Sequence, residues 1–347
     1  MKKYFKKIKY IYVVFKWFVW YNLANGEGMK VWHLFLSLAK HVMFKTPYAA
    51  IIETSNTCNF RCPTCPTPHK LIYERRPPEV MPLDKFKRII DRIKDTVHIV
   101  YLYNSNEPLM HADIAEMINY ASNQNLHTMI STNCSLLTEE KSRQLLASGL
   151  GEIRFAFDGT TKEAYEGFRP GGDFNQVKSN IETFCRLKKE LKIKRPIATL
   201  QFILNKLNQD QIPAIKEFAW KNKIDKLYIK PFILSRYAYS KDEINDLATR
   251  FFADKDIEDE AIVYKQGEEG LTPITEYTTC KDVNRVFTIL ADGRAVMCCF
   301  DLYGDYTYGN LIEADFQTVW NSARAVAIRR SAYERKTPLC RVCGNIE

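Results

Sequence analysis

The chain has 347 residues and a net charge of +9. It is most informative first through what it lacks. No long apolar run is present. The most aromatic stretch, Tyr10 to Tyr21, is interrupted by Lys16. The longest uncharged run there, Trp17 to Gly26, falls far short of the ~20 residues of a spanning helix. No small-residue cleavage site follows it, so a secretory signal is not expected. Without export, a disulfide framework is not expected either, although ten cysteines are present. There are no internal repeats and no low-complexity tract. Acidic residues are scarce at one end: residues 1–45 hold nine Lys and a single acid, Glu27. The remaining chain is nearly balanced, with 41 basic and 40 acidic residues, so it lacks the basic face of a nucleic-acid binder.

What is present begins with that N-terminal segment. Residues 1–45 carry 12 of the 44 aromatic residues together with the Lys excess. Such a mixture suits the surface of an anionic membrane, and peripheral contact at a cytoplasmic inner face is one expectation. The other is a helix pair packed on the body with its lysines outward. Beyond residue 47, apolar runs at 49–53, 97–103, 126–131, 152–157, 197–204 and 226–230 alternate with amphipathic segments. The helical faces are Leu83/Phe86/Ile89/Ile90/Ile93, Ile114/Met117/Ile118/Ala121, Val177/Ile181/Phe184/Leu187/Leu191 and Ile212/Ile215/Phe218/Ala219. A weaker one at Leu145 and Leu146 follows a Thr138 cap. This order predicts an α/β fold with a parallel sheet, either a partial barrel or an open doubly wound sheet. Ligands then sit at the C-terminal strand ends. Residues 236–275 read as a helical linker or insertion. A β-hairpin with a Gly293 turn, a short helix over 316–328 and a terminal Cys340-x2-Cys343 complete the chain. The expected organisation is therefore 1–47, 48–235, 236–275 and 276–347.

Two cysteine sets carry the chemistry. Cys58, Cys62 and Cys65 fall within eight residues directly after the first strand. A closed zinc site or a closed cluster takes four ligands, so three on one loop point to a metal site with an open position. Read alone, they are also compatible with most of a zinc site. Cys280, Cys298, Cys340 and Cys343 suffice to close a structural zinc site or a second cluster. Cys185 is expected in the core. Cys299, beside Cys298, is a bystander or a substitute ligand.

The Cys58-x3-Cys62-x2-Cys65 loop resembles the signature of radical S-adenosylmethionine (radical SAM) enzymes. Asn104-Ser105-Asn106-Glu107-Pro108-Leu109 is similar to the family's Gly-Gly-Glu-Pro-Leu turn. Ser131-Thr132-Asn133, Phe157-Asp158-Gly159 and Arg169 with Gly171-Gly172 match further stretches in the expected order. Cys280-x12-Gly293-x4-Cys298, Gly309-Asn310-Leu311 and Val319-Trp320 resemble the C-terminal SPASM/Twitch extension. Departures are Ser105 and Asn106 for the paired glycines, Thr64 before the third Cys, Ala156 for Ser, and Cys134 for Gly.

The resemblance implies a partial (β/α)6 barrel with a small hairpin-plus-helix auxiliary domain. It implies a [4Fe-4S] cluster on Cys58, Cys62 and Cys65, with SAM on its open iron. A second [4Fe-4S] cluster would be held by Cys280, Cys298, Cys340 and Cys343. Ser105 and Asn106 would hold the SAM amine, Glu107 the turn, and Asn133 and Asp158 would lie near the nucleoside. The implied chemistry is reductive cleavage of SAM to a 5′-deoxyadenosyl radical that abstracts hydrogen from substrate, with a reduced flavodoxin or ferredoxin as electron donor. Four auxiliary cysteines are the Twitch pattern, similar to the aminosugar dehydrogenase of butirosin biosynthesis. The leading expectation is therefore an oxidoreductase acting on an alcohol of a carbohydrate or lipid-linked substrate. Asp301 and Arg169 are candidates for handling the hydroxyl proton, though each also reads as a turn cap or an ion pair. The alternative is a peptide or protein maturase. Only 47 residues precede the first strand, which is short for a peptide-recognition domain. A zinc-stabilised binding protein is the remote third reading.

Overall fold

The computed structural model describes residues 19, 23, 28–65, 67, 72–230, 232, 239–253, 264–267, 270–273, 278–341 and 343. Most of the basic aromatic segment, including Tyr10 to Tyr21 apart from residue 19, lies outside these, as does much of the 236–275 linker.

Six parallel strands follow one another in sequence order: β1 (Ala49–Ile52), β2 (Ile99–Tyr101), β3 (His127–Thr132), β4 (Glu152–Ala156), β5 (Ile197–Ile203) and β6 (Lys226–Lys230). Each pairs with the next along the sheet. A doubly wound sheet would reverse direction at a switch point. This one does not, which selects the partial barrel. Strands β3 and β5 are covered over most of their length, as continuous apolar runs require.

Helix α1 (Gly28–Phe44) precedes β1, and the helices after it are α2 (Leu83–Ile93), α3 (Ile114–Asn123), α4 (Glu139–Ala147), α5 (Lys162–Phe168), α6 (Phe174–Glu190), α7 (Ile212–Lys221) and α8 (Lys241–Phe251). Their starts are chemical. Thr138, Thr161 and Asp173 each accept a backbone N–H of the first turn, and Ser240 with Glu243 forms a capping box. The face Phe86, Ile89, Ile90 and Ile93 of α2 is fully buried. Helix α5 is absent from the periodicity reading because seven residues are too few for a pattern. Within the 236–275 segment, β7 (Tyr264–Gly267) and β8 (Gly270–Pro273) form an antiparallel pair.

The C-terminal strands are β9 (Val286–Ile289), β10 (Arg294–Val296) and β11 (Thr307–Asn310). They continue the barrel sheet rather than forming a sheet of their own. Strand β9 pairs in parallel with β1, from Ala49↔Val286 to Ile52↔Ile289, and β10 and β11 follow antiparallel. Gly293 (φ +89°) makes the hairpin turn, where a Cβ would meet the Ile312 and Asn310 side chains at 2.6 and 2.8 Å. The single helix expected over 316–328 is two: α9 (Phe316–Asn321) and α10 (Ala323–Tyr333). Ser322 breaks it, with extended backbone (ψ 144°) and a hydroxyl that accepts Ala325 N–H to cap α10. Helix α11 (Pro338–Arg341) is the last described helix. Cys185 is half-buried against the core.

Beneath the barrel, His98 and His127 are buried, and the His98 ring nitrogen lies 3.4 Å from that of His33 on α1. Burial pushes His98 down to about 3 and His127 well below its ordinary value. The folded state therefore holds these imidazoles neutral, while the unfolded chain binds protons below pH ~6.5. Stability should be full above that pH and fall as pH drops through 6.5 toward 4, by about 1.4 kcal/mol per pH unit for each histidine. Chemical denaturation of wild type and His98→Asn at pH 7.5 and 5.5 checks this. A flatter pH dependence is expected for the variant.

Candidate active site

The strand-end residues singled out in the barrel gather at the C-terminal ends of β1 to β4. The Cys58–Cys65 loop follows β1 and is closed on itself by Cys65 N–H to the Cys62 carbonyl at 3.1 Å. It is pinned from below by Arg61 N–H to the Pro170 carbonyl at 2.8 Å. Gly172 permits that approach, because a Cβ there would sit 2.8 Å from the Phe60 ring. Tyr239 donates to the Pro63 carbonyl at 3.2 Å from the far side.

Glu107 is the central support. Its buried carboxylate accepts from Leu109 N–H (3.0 Å), Thr132 hydroxyl (2.7 Å) and Asn133 N–H (2.7 Å). It therefore locks the turn after β2 to the end of β3. Burial raises its carboxyl, against the lowering effect of the three donors. Glu107 N–H also bonds the Thr57 carbonyl at 2.9 Å, so the same turn positions the Cys loop. Asn106 closes the turn by other means than glycine. Its carboxamide accepts Asn104 N–H and donates to Thr54 hydroxyl, each at 2.9 Å. Ser105 is buried in this turn. Cys134 takes the left-handed region (φ 63°) in a fully buried position.

Asn133 and Asp158 lie at the expected strand ends, with their side chains engaged. Asn133 donates to Asn59 of the Cys loop at 2.9 Å and accepts from Ser135. The Asp158 carboxylate takes Arg169 Nε at 2.6 Å and Ile203 N–H on its other oxygen. Arg169 also reaches Cys62 Sγ with Nη1 at 3.6 Å. Of its two sequence readings the ion pair is the one seen, largely buried, with the guanidinium facing the thiol loop. Asp301 is buried, and its two carboxylate oxygens accept Asp305 and Tyr306 N–H, each at 2.9 Å. That is the turn-cap geometry.

The second cysteine set gathers at the opposite end of the barrel. Cys280 precedes β9, and Cys298 continues β10 back toward the level of Val286 and Ala49. Cys280, Cys298, Cys340, Cys343 and Cys299 all line one cavity of about 380 Å³. Its walls extend into the barrel lumen through Ile51, Tyr101, Tyr103, Arg154 and Thr288. Arg154 pairs with Glu152 at 2.8 Å and donates to Tyr103 Oη at 3.3 Å. Burial, then Arg154, lowers the amine of Lys230 nearby. Glu53 and Arg76 form a further buried pair. Arg76 bonds the Leu302 carbonyl at 2.7 Å, and Glu53 takes Ala291 N–H at 3.2 Å. None of Arg154, Lys230, Glu53 or Arg76 was singled out from sequence. For Glu53, Arg154 and Lys230 the available signal was charge inside strand runs that should be covered on both faces; Arg76 lies in a loop and carried no such signal.

The donor chemistry of both cysteine sets, three and four thiols, is that of iron–sulfur ligands. Burial pushes Cys58 up to about 12, Cys280 to about 11 and Cys299 to about 12, and it raises Cys62, Cys298 and Cys340. Such thiols become thiolates when a bound cation compensates them. Among the described residues, no three His, Cys, Asp or Glu converge as a single ion requires. The four thiolates of a cube each take a different iron, so they need not converge.

Comparison with known proteins agrees with this geometry. The radical SAM superfamily model matches residues 52–219, and that of the SPASM iron–sulfur cluster-binding domain matches 280–344. The chain belongs to the radical SAM superfamily and carries a C-terminal SPASM domain; [4Fe-4S] clusters and S-adenosylmethionine are its cofactors. It is 24% identical over 186 residues to the PqqA peptide cyclase of Bradyrhizobium diazoefficiens, covering 54% of this chain. The match spans about half of that cyclase (47%). A tungsten-containing aldehyde ferredoxin oxidoreductase cofactor-modifying protein of Pyrococcus furiosus is 23% identical over 319 residues, covering 84% of this chain and 86% of that one. Streptococcus suis SuiB, solved with precursor peptide SuiA, shares the fold (TM-score 0.60, 17% identity, 93% of this chain, 74% of that one).

Replacing Arg169 by Ala would leave Asp158 buried without its cation, costing about 3–5 kcal/mol. Asp158→Asn combined with Arg169→Met should recover part of that loss. Chemical denaturation of both variants checks the order. Glu107→Gln, which sets an amide against three donors, should cost about 2 kcal/mol and weaken SAM binding measured by equilibrium dialysis.

Proposed function

We propose that this radical SAM enzyme modifies a side chain of a peptide or protein. In this reading Cys58, Cys62 and Cys65 hold the cluster that takes SAM, and Cys280, Cys298, Cys340 and Cys343 hold the auxiliary cluster. When bound, cluster and SAM together supply a 5′-deoxyadenosyl radical that abstracts hydrogen from a substrate carbon. The chain's own residues orient and shield. Ser105 and Asn106 offer backbone groups to the SAM amine, in a turn held rigid by Glu107. Arg169, fixed by Asp158, supports the thiol loop. Asn133 ties that loop to β3.

The observation that carries the reading is the lumen. The reacting group has to lie between the mouth, with its three-Cys loop, and the lower end, with the auxiliary set. The cavity there is about 380 Å³ and also has to take the auxiliary cluster. What remains suits one side chain inserted from a chain that stays outside. Tyr101, Tyr103 and Arg154 offer aromatic faces and a fixed cation to orient it. The likeness to a peptide cyclase over 186 residues supports the same choice. It is preferred here to the alcohol dehydrogenase expected from sequence. That second reading keeps one support, a C-terminal set with cysteines for a single cluster. Asp301, engaged by the turn, is not assigned as its base.

After anaerobic reconstitution the chain should hold about eight irons. Cys58→Ala with Cys62→Ala should leave about four and abolish 5′-deoxyadenosine formation. Cys280→Ala with Cys298→Ala should also leave about four but retain SAM cleavage. Substrate class is decided with a soluble extract, small molecules and proteins together, of cells grown in deuterated medium. Deuterium should appear in 5′-deoxyadenosine, and protease treatment of the extract should abolish it. Transfer that survives proteolysis would rule out the peptide reading.

A further inference from the structure

Helix α1 is turned inside out. Its face against the barrel carries Lys30 and Ser37 beside Val31 and Leu34. Its outward face carries Met29 (62% exposed), Trp32 (59%), Phe35, Leu36, Met43 (64%) and Phe44 (68%). Val42, at 70%, lies on the same side, and Ala39 completes a stripe without a charged or polar side chain. The usual amphipathic helix does the reverse. The docking of α1 is fixed by polar contacts. Lys30 Nζ reaches Ser122 Oγ at 3.2 Å, Lys40 bonds the Asp95 carbonyl, and His33 meets His98. The apolar stripe is therefore held in place, facing solvent.

A basic cavity adjoins the end of the stripe. It measures about 510 Å³ and is lined by His41, Lys45, Lys281, Arg285, Arg329 and Arg330, among others. Among the described residues, no carboxylate lines it. Asp282 lies 3.8 Å from Arg285 and Glu334 lies 3.6 Å from Arg330 at its rim. Arg329 is held by Trp320, through its carbonyl at 2.7 Å and its ring face at 3.7 Å. Lys45 precedes β1 and Arg285 precedes β9, so this cavity opens at the N-terminal end of the barrel. Asp95, His98 and Ser122, the contacts of α1, lie at that end too. The stripe and the cavity thus form one surface opposite the three-Cys loop.

We propose that this surface seats the enzyme on an anionic membrane. The stripe lies in the interface, and a lipid phosphate headgroup occupies the basic cavity. No described helix is long and apolar enough to span a bilayer, and the proposed contact is with one leaflet. A 17-residue helix, about 25 Å long, with Trp in its apolar face suits that plane. Charge selects lipid over a neutral protein partner. The cavity adds five cations, and the preceding residues 1–27 add six Lys against one acid, interleaved with nine aromatics. The orientation follows directly: the barrel mouth faces away from the bilayer.

The test uses the reconstituted full chain and vesicles of phosphatidylcholine alone or with 30 mol% phosphatidylglycerol. The chain should co-sediment with the anionic vesicles and partition at least tenfold less to the neutral ones. Trp32→Glu with Met43→Glu should lower partitioning at least tenfold. Lys281→Glu with Arg330→Glu should remove the preference for phosphatidylglycerol. Both variants should keep wild-type iron content and SAM cleavage. Hydrogen exchange on wild type should slow over 28–44 and 281–285 when anionic vesicles are added, with 58–65 unchanged. Any of three results would overturn the proposal: no binding by wild type, wild-type partitioning by both variants, or a wild-type dimer that Trp32→Glu with Met43→Glu converts to monomer, which would make the stripe a contact between copies.

Discussion

The pairing of β9 with β1 is the constraint on which the arrangement depends. A six-stranded partial barrel leaves β1 with an unpaired edge, and an open edge is a template for unwanted pairing. Here β9 covers it in parallel register, and β10 and β11 extend the sheet. Because both sides of β1 are committed, the loop after it leaves at a fixed point, and that loop carries Cys58, Cys62 and Cys65. The same pairing sets Cys280 and Cys298 at the other end of the strand. One strand thus spaces the two cysteine sets, and the lumen between them belongs to both.

Buried charge reinforces that spacing. Glu53 and Arg76 are nearly inaccessible, and between them they reach Ala291 N–H and the Leu302 carbonyl. The pair therefore joins the end of β1 and the chain beyond the Cys loop to the auxiliary region. Breaking such a pair strands a charge, which costs far more than the pair contributes against an apolar replacement. Glu107 works in the same manner on the other side of the Cys loop, with three donors on one carboxylate. The loop is held between two buried carboxylates, neither of which need touch SAM.

What could be read from sequence follows from range. The apolar runs of β1 to β6 were legible because parallel strands covered on both faces are continuous. The caps at Thr138 and the turn at Gly293 were legible because their partners are three or fewer residues away. The β1–β9 pairing was not, since a hairpin signal describes only its own two strands while the third partner lies 237 residues earlier. Asn133 was placed correctly at a strand end, but the direction of its carboxamide, toward Asn59, is set by a loop 74 residues away. The two-helix outcome over 316–333 turned on Ser322, a cap residue inside an otherwise acceptable helical run. Helix α1 departs from the reading with its lysines outward for a physical reason. Lysine is expected outside, yet Lys30 finds Ser122 and Lys40 finds a backbone carbonyl, which leaves the apolar side to solvent.

The position of α1 bears on which substrates the site can reach. Its contacts Asp95, His98 and Ser122 all precede strands, so the helix covers the barrel end away from the three-Cys loop. A lipid-linked substrate held in a bilayer under α1 would have to leave the membrane and travel the length of the barrel to the mouth. A side chain on a soluble peptide meets no such path. The lumen itself, narrowed by Tyr103 and Arg154 and shared with the auxiliary cysteines, admits a group of side-chain size more readily than a polymer. Anchoring at one end and reaction at the other are then compatible, because the barrel separates them: the membrane would concentrate the enzyme without contributing its substrate.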